Sequence, residues 1–250
     1  MIKIEKHEVF GWEYAILGAR NPMNSWDKSD SGWNAAYLSS FDNPTKKKGY
    51  VLSVQCGSDD GYDIGPEDAA LMMKLRNAGT DHRKFMRMIT VYVDIIAPLY
   101  WWKEFDTYKV GTVANSCSTM HKIHAKEFTL EDFSCEHLTY DALHVFDKKG
   151  SDDGCKIVMV PARMLELIVK SLNVLRQLYL ETGDKRYWYA MIQLLPSSYN
   201  QKRTVMLNYE VLANMYKSRK NHKLDEWREF CKWIEGLPYS ELITGDRKDE

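Results

Sequence analysis

The sequence predicts a single α+β domain, richer in helix than in strand, with a helical C-terminal third. Residues 88–96 form a β-branched run with partial alternation of apolar and polar side chains, which is typical of a strand. Residues 164–178 carry apolar side chains at spacings of one, three and four, which form one apolar stripe along a helix. The 250 residues contain no internal repeat, so both patterns belong to one mixed domain.

The first half of the chain predicts few regular elements. Residues 1–65, punctuated by Gly, Asn, Asp and Ser, predict irregular chain with short strands. A helix begins at Pro66, a residue favoured in the first helical turn, and stops near Gly79. The heavy side chains of residues 99–105 predict a further helix, and residues 108–118 predict a loop.

The C-terminal third predicts four helices. After the helix with the apolar stripe, a second helix covers about residues 185–194. A third starts near Thr204, and a fourth carries Trp227 and ends at Gly236. Residues 126–160, which are polar and match no pattern, predict a variable loop region or an insertion.

Composition excludes several classes of protein. The formal net charge is −1, so no global field attracts nucleic acid or an acidic membrane surface. Five cysteines stand at wide spacings, and residues 1–20 lack the apolar segment of a signal peptide, which together predict a cytoplasmic protein. Fifteen Tyr and eight Trp suit aromatic walls around a flat ligand or a subunit interface, although an aromatic core explains them equally well.

Two clusters invite a chemical interpretation. His121, His124, Cys135 and His137 supply the ligand types of a zinc site, but their spacings match no standard zinc pattern. Scattered surface and core histidines explain them better, and no metal is expected. The hydroxyl and thiol side chains of residues 116–119 stand beside His121, where a ligand-binding loop is a better interpretation than a nucleophile with its base.

Phosphate-binding glycine loops are absent from the sequence. Neither GxGxxG nor GxxxxGK occurs, so a dinucleotide-binding Rossmann unit is excluded as an interpretation. Any flavin would have to be held by scattered side chains and helix ends.

Two stretches nevertheless resemble the flavin-dependent thymidylate synthases. In that family a His-containing helix start leads to a strand, an Ala-Pro-like break and a helix. The helix ends in Arg-His-Arg, and Ser-x-Asn-Glu-x-Ser-x-Arg-Tyr follows. Residues 79–120 of this chain repeat the order of elements, with His82 at the start and Ala97-Pro98 at the break.

The second stretch lies in the C-terminal third. The family has a Leu-Pro, then an Asn-led helix with Arg eleven residues on, then a helix containing Glu-Ile-Arg. This chain has Leu195-Pro196, then Asn208 with Arg219 eleven residues on, then Glu226-Trp-Arg. Together the two stretches cover about half of the chain, in the family's order and spacing.

The resemblance implies a fold and a chemistry. The fold has a central mixed or antiparallel sheet with several helices. The activity is that of a methyltransferase of dTMP biosynthesis, in which FAD reduced by NADPH assists transfer of a one-carbon unit from methylenetetrahydrofolate to C5 of dUMP or a related pyrimidine nucleotide. The family's flavin sites lie between subunits, so a homotetramer is implied as well.

The family's functional positions carry over residue by residue. The resemblance implies cofactor-binding residues His82, Asn115, Asn208 and Lys109. It implies substrate-binding residues Glu104, Ser118 and Arg219. It implies catalytic residues Ser118, Lys109 and Tyr108.

Several family residues are replaced. Residues 107–109 read Thr-Tyr-Lys where the family has Arg-His-Arg, and Met120 stands where it has an Arg. Arg87 replaces an acidic residue, Glu210 replaces an Arg, and Glu104 replaces a Gln. Because arginine forks hold the dUMP phosphate and neutralise the uracil ring, their loss predicts weaker dUMP binding unless other cations compensate. The candidates for compensation are Arg219, Lys103, Lys202 and Arg203.

Three functions remain open at this level. The first is a divergent flavin enzyme acting on a pyrimidine nucleotide, as the order of elements indicates. The second is a catalytically inactive nucleotide-binding or regulatory protein that keeps the same fold, as the lost arginines indicate. The third is a small zinc protein built on His121 and its neighbours.

Overall fold

The structure is a computed structural model that describes residues 1–33, 61–145 and 157–245. Its internal contacts divide the chain into two compact units. The smaller unit comprises Met1–Lys3, Ile96–Glu104 and Ser116–Lys202, and the larger unit comprises the rest. A four-stranded antiparallel sheet and nine α-helices in the described residues confirm the α+β class.

Eight strands lie in the described residues. The four-stranded sheet has the order β1-β4-β8-β5, and two antiparallel pairs, β2 with β3 and β6 with β7, stand apart from it. The strands are β1 Lys3–Phe10, β2 Gly32–Trp33, β3 Tyr62–Asp63, β4 Thr90–Pro98, β5 Val113–Ser116, β6 Leu143–Val145, β7 Ile157–Met159 and β8 Asn200–Asn208.

Nine α-helices lie in the described residues, together with five short 3-10 turns. The helices are α1 Trp12–Arg20, α2 Pro66–Asn77, α3 Leu99–Phe105, α4 Thr119–Lys122, α5 Pro161–Thr182, α6 Lys185–Leu194, α7 Tyr209–Arg219, α8 Asp225–Glu235 and α9 Glu241–Thr244. The turns are Asn21–Met23, Trp26–Lys28, Arg83–Arg87, Asp106–Tyr108 and Leu130–Asp132. None of the helices in the described part of the chain has the length and apolar character that crossing a lipid bilayer requires.

The strongly patterned elements are confirmed. In β4 the side chains of Val91, Val93 and Ile95 are buried and alternate with more exposed ones, as a strand with one core-facing side requires. Helices α3 and α6 have the predicted bounds, and α5 carries the predicted apolar stripe. Trp101 and Trp102 of α3 are fully buried, and Trp102 Nε1 donates a hydrogen bond to the Gln201 carbonyl at 2.9 Å.

The prediction of a helix beginning near Thr204 is wrong. That segment is β8, in which buried Val205 and Leu207 alternate with less buried Thr204 and Met206. The alternation suits a sheet strand with one core-facing side. The helix begins only at Tyr209, after the strand has ended.

Two further predictions of irregular chain are wrong in part. Residues 3–20 form β1 and α1 around Gly11, whose φ of 98° lies in the left-handed region that glycine adopts freely. Residues 106–116, predicted as loop from residue 108, contain a 3-10 turn and then β5. Residues 34–60, 146–156 and 246–250 lie outside the described residues, which leaves part of the variable region of residues 126–160 unaddressed.

A buried ion pair anchors α2 in the larger unit. Arg20 Nε donates to Asp68 Oδ1 at 2.5 Å, and the hydroxyls of Ser29 and Ser31 donate to Asp68 Oδ2 at 2.6 and 2.7 Å. Burial by itself would raise the pKa of the Asp68 carboxyl, but these hydrogen bonds and the Arg20 charge hold that pKa below its usual value. The segment of Ser29 and Ser31 is thereby tied to the beginning of α2.

The core of the smaller unit forms between α5, α6 and the chain preceding them. Its apolar cluster contains Ile123, Phe128, Phe133, Leu165, Val169, Leu172 and Met191. Burial of Phe128 and Phe133 shows that the beginning of the region predicted as variable contributes to this core. The assignment of residues 126–160 as a variable loop region or an insertion stays a prediction.

Candidate functional site

The C-terminal end of α7 holds an arginine beside two aromatic rings that pack edge to face against each other, with centroids 6.1 Å apart. Arg219 Nε donates a hydrogen bond to Tyr108 Oη at 3.0 Å. The Arg219 Cζ atom lies 4.7 Å from the ring centroid of Trp227 and 5.7 Å from that of Tyr108. Both distances fall within the range of cation–π attraction.

Three separate segments of the larger unit build this group. Tyr108 ends the 3-10 turn Asp106–Tyr108, and its carbonyl accepts a hydrogen bond from Thr112 Oγ1 at 2.8 Å. Trp227 lies in the first turn of α8, is fully buried and packs edge-on against Phe230 with centroids 5.8 Å apart. Arg219 is the last residue of α7, and it is half-buried.

The N-terminal end of α7 is fixed by its cap and by the turn that follows Tyr108. Asn208 Oδ1 accepts a hydrogen bond from the Val211 amide at 3.0 Å, which caps the helix. Gly111 has a φ of 82°, and a Cβ atom there would lie 2.9 Å from Val211 Cγ2 and 3.1 Å from Asn208 Nδ2. The turn carrying Lys109 therefore approaches the beginning of α7 more closely than a side chain at residue 111 would allow.

One buried carboxylate in the first turn of α7 meets two guanidinium groups. Glu210 is 7% exposed and pairs with Arg87, while Arg83 Nε lies 3.5 Å from Glu210 Oε1. Arg83 also donates to Asn214 Oδ1 at 3.0 Å. The hydrogen bond that Arg87 donates to the Glu210 carboxylate, together with the negative charge of that group, raises the pKa of Arg87. The two positions at which this chain exchanges the family's charges, Arg87 and Glu210, thus contact each other.

Comparison with solved structures identifies the architecture. Thymidylate synthase X (ThyX) from Helicobacter pylori, solved with FAD and dUMP, matches over 97% of this chain and 96% of its own, with a TM-score of 0.59 and 14% identity. A second structure of that enzyme with FAD and dUMP gives a TM-score of 0.58 at 14% identity over 97% of each chain.

This chain has the fold of the flavin-dependent thymidylate synthases. A UMP/dUMP methylase, PolB from Streptomyces cacaoi bound with 5-Br dUMP, also matches, with a TM-score of 0.50 and 11% identity over 94% of this chain and 88% of its own. No family model matches the sequence, and a search of curated proteins finds no match. The likeness is one of fold, at low sequence identity.

The structure brings two of the predicted site residues into contact, Tyr108 and Arg219, which are 111 positions apart in the sequence. His82, Lys109 and Asn115 are exposed on the larger unit, where Asn208 serves as the helix cap. The roles predicted for them in cofactor binding stay predictions.

The remaining two predicted residues lie in the smaller unit. Glu104 is half-buried in α3. Ser118 is exposed and caps α4, its hydroxyl accepting a hydrogen bond from the His121 amide at 2.9 Å. Their roles in substrate binding and catalysis also stay predictions.

The candidate compensating cations have different contacts in the structure. Arg203 is engaged by Asp106, with its Nη1 atom 2.8 Å from the Asp106 carboxylate, so it serves an ion pair within the larger unit. Met120, at the position of a family Arg, exposes an apolar side chain, and its carbonyl accepts a hydrogen bond from Trp188 at 2.9 Å. Arg219 contacts one predicted site residue, Tyr108, and its role as a compensating cation stays a prediction.

The zinc hypothesis finds no support in the described ranges, where no three His, Cys, Asp or Glu side chains are grouped so that they could hold a metal ion. His121 is exposed, and its backbone amide serves the cap of α4. His124 packs against Tyr179 with ring centroids 4.9 Å apart.

Sequence reasoning missed Trp227 and the partnership of Glu210. Trp227 stands where the family pattern Glu-Ile-Arg has Ile, and the sequence pattern predicts for it only a place on the fourth helix. Both residues were visible as departures from the pattern. The sequence did not show that Trp227 contacts Arg219 or that Glu210 contacts Arg87.

Proposed function

We propose that this protein is a divergent FAD-dependent enzyme of the thymidylate synthase type, which transfers a one-carbon unit to C5 of dUMP or a related pyrimidine nucleotide. The contact between Tyr108 and Arg219 carries the proposal, because it joins the family's signature stretch to its Asn-led helix. The fold supports it, since structures that match most of this chain are a thymidylate synthase solved with FAD and dUMP and a UMP/dUMP methylase.

Arg219 suits the binding of a pyrimidine nucleotide. A guanidinium stays charged at every physiological pH and offers planar donors to a phosphate or to a uracil carbonyl. Fixing it in place before the ligand arrives lowers the conformational entropy that binding would otherwise lose. We assign it to substrate binding, with Glu104 and Ser118 as further substrate-binding residues of the same proposal.

The exposed polar residues carry functional groups of the kind that bind FAD. Lys109 supplies a cation for a pyrophosphate, and the exposed His82 and Asn115 side chains supply donors and acceptors for its polar groups. Asn208 would add its amide, since its Oδ1 atom already caps α7. FAD, when bound and reduced by NADPH, supplies the reducing chemistry that the one-carbon transfer requires. Within the same proposal the protein is a cytoplasmic homotetramer, and methylenetetrahydrofolate donates the carbon.

Titration of the purified protein with FAD, followed by NADPH oxidation with and without dUMP, tests the proposal. We expect a flavin absorption band that shifts on binding, and NADPH oxidation that dUMP stimulates. Arg219→Ala should abolish the stimulation, whereas Arg186→Gln, a change at an exposed arginine paired with Asp184, should preserve it. Protein that takes up no FAD and binds no dUMP would refute the proposal.

A second function is favoured by one specific observation. Met120 places an exposed apolar side chain at a position where the family pattern has an arginine, as a protein that binds a nucleotide without turning it over would tolerate. In that case dUMP binds but no dTMP forms from dUMP and methylenetetrahydrofolate. Detection of dTMP above a reaction without protein decides between the two functions.

A further inference from the structure

We propose that Trp227 and Tyr108 act together as an aromatic clamp that orients the Arg219 guanidinium for nucleotide binding. Within this proposal, which rests on the proposed function, both are positioning residues, because they act on a ligand through Arg219. The family pattern quoted above assigns no role to residue 227.

The geometry of the clamp supports an orienting role. Trp227 presents its ring to the guanidinium at 4.7 Å, and Tyr108 adds both a ring at 5.7 Å and a hydroxyl that accepts from Nε at 3.0 Å. A ring face restrains the plane of the guanidinium, and a hydrogen bond to Nε restrains its rotation about the side-chain axis. Because Trp227 is fully buried, it cannot move aside without opening the core of the larger unit.

Both clamp residues are departures from the family pattern. Tyr108 stands at the His of Arg-His-Arg, and Trp227 stands at the Ile of Glu-Ile-Arg. An isoleucine has no π-face for a cation. The two substitutions lie in separate segments, yet they meet on the one arginine of the Asn-led helix that this chain keeps.

The clamp explains how a chain with fewer arginines could still bind its ligand. Thr107 and Met120 have replaced two guanidinium groups that would have shared the work of holding phosphate and uracil. A single arginine that is already oriented loses less side-chain freedom on binding than a mobile one. The side chains at residues 108 and 227 therefore restrict the side-chain freedom of Arg219, the arginine of α7 that this chain keeps.

Binding of dUMP to four variants tests the clamp. Trp227→Leu and Tyr108→Leu, which remove a ring, should each weaken dUMP binding by about 5- to 30-fold, as loss of a partly desolvated cation–π contact implies. Trp227→Phe keeps a ring face and should retain affinity within about threefold. Tyr108→Phe keeps the ring but loses the acceptor, and should fall between the two.

Trp12→Leu is the matched control for loss of a buried tryptophan. Trp12 is buried in the same unit and packs against Tyr209 and Tyr239. Trp12→Leu should lower the free energy of unfolding as Trp227→Leu does. Below the melting temperature of the variant, it should leave dUMP affinity unchanged. Tyr108→Leu changes a half-buried residue and so keeps the test available if Trp227→Leu fails to fold.

A second readout is independent of nucleotide binding. An arginine-specific dicarbonyl reagent, followed by peptide mass spectrometry, should label Arg219 at least about tenfold more slowly than Arg186, whose side chain is 85% exposed. Tyr108→Leu and Trp227→Leu should remove most of that protection, and Trp12→Leu should not.

The two readouts separate two kinds of failure. Wild-type protein that binds no dUMP, while Arg219 stays protected and loses protection in the clamp variants, would sink the proposed function and leave the clamp intact. Equal labelling of Arg219 and Arg186 in the wild type, or unchanged dUMP affinity in both leucine variants, would overturn the clamp itself.

Discussion

The two ends of α7 show two different ways of holding an arginine. At the N-terminal end Arg83 and Arg87 are held by the Glu210 carboxylate, which is almost entirely buried. At the C-terminal end Arg219 is held by the rings and hydroxyl of Tyr108 and Trp227. The first contact joins opposite charges, and the second includes two aromatic rings and a hydroxyl acceptor.

We expect the contact at the beginning of α7 to serve the fold and, within the proposed function, Arg219 at its end to serve a ligand. At the beginning of α7, Arg87 and Glu210, two residues that depart from the family pattern, pair with each other. At the end of α7 the aromatic residues fix the orientation of the guanidinium, which is what a binding residue requires. Substitutions at the two ends should therefore differ in size, in salt dependence and in their effect on nucleotide binding.

The largest effect on stability is expected for Glu210→Gln. It removes the carboxylate between two guanidinium groups, and Arg83, whose side chain is only 18% exposed, loses its ionic partner. We expect the free energy of unfolding to fall by about 2–3 kcal/mol in urea denaturation.

Two further variants sharpen this prediction. Glu166→Gln, which removes an exposed pair with Arg163, should leave the denaturation midpoint nearly unchanged. Arg87→Glu, which places a second carboxylate beside Glu210, should be less stable than Arg87→Gln, which only removes the charge of Arg87. Equal stability of these two variants at residue 87 would contradict the pairing.

Gly111→Ala should disturb the contact between the turn of Lys109 and the beginning of α7. Residue 111 has positive φ, and the new Cβ atom would lie 2.9 Å from Val211 Cγ2. Thermal or urea denaturation should show a loss of about 1–3 kcal/mol. Gly79→Ala is the matched control, since Gly79 also has positive φ but an added Cβ would meet nothing within 4 Å. Its loss should be about 1 kcal/mol, and an equal loss at both glycines would show that packing against Val211 is unimportant.

Tyr108→Phe should have a smaller effect that does not depend on salt. It removes one hydrogen bond to Arg219 and should lower the free energy of unfolding by about 0.5–1.5 kcal/mol. The effect of Arg87→Gln should instead shrink between about 0.05 M and about 1 M salt, because salt screens the exposed Arg87 charge. If salt changed the effects of Tyr108→Phe and Arg87→Gln on the free energy of unfolding to the same extent, the two ends of α7 would not differ in the way proposed.

The smallest perturbation is chemical modification of a thiol near the clamp. Burial, assisted by the charge of Glu235 and opposed by that of Arg219, raises the pKa of the Cys231 thiol to about 12, so little thiolate exists at pH 8. We expect alkylation of Cys231 at least about a hundredfold slower than that of the exposed Cys117, measured by peptide mass spectrometry. Similar rates would show that the packing around Cys231 in α8 opens readily in solution.

Local patterns predicted a large part of the fold. The alternation in β4, the apolar stripe of α5 and the end signals of α6 are written in neighbouring residues, and the structure confirms these elements. Thr204 and its neighbours were assigned wrongly, because a short apolar run has the same local appearance in a helix and in a strand. Its place in the four-stranded sheet decided the outcome.

The site was predicted less completely than the fold. Arg219 and Tyr108 were named from the family pattern, and the structure brings them together. Trp227 was recognised only as a helical residue, because nothing near it in the sequence indicates which cation will lie over its ring. Arg87 and Glu210 were recognised as departures without their relation to each other.

The sequence by itself determined the periodic elements, their order, and the resemblance that led to the flavin-dependent thymidylate synthase fold. Only the tertiary structure decided that residues 108 and 227 surround Arg219, and that Arg87 pairs with Glu210. Periodicity records how each segment faces its core, whereas contacts between distant segments depend on how the whole chain packs. For that reason Arg87 and Glu210, which are separate departures from the family pattern in the sequence, contact each other in the folded chain.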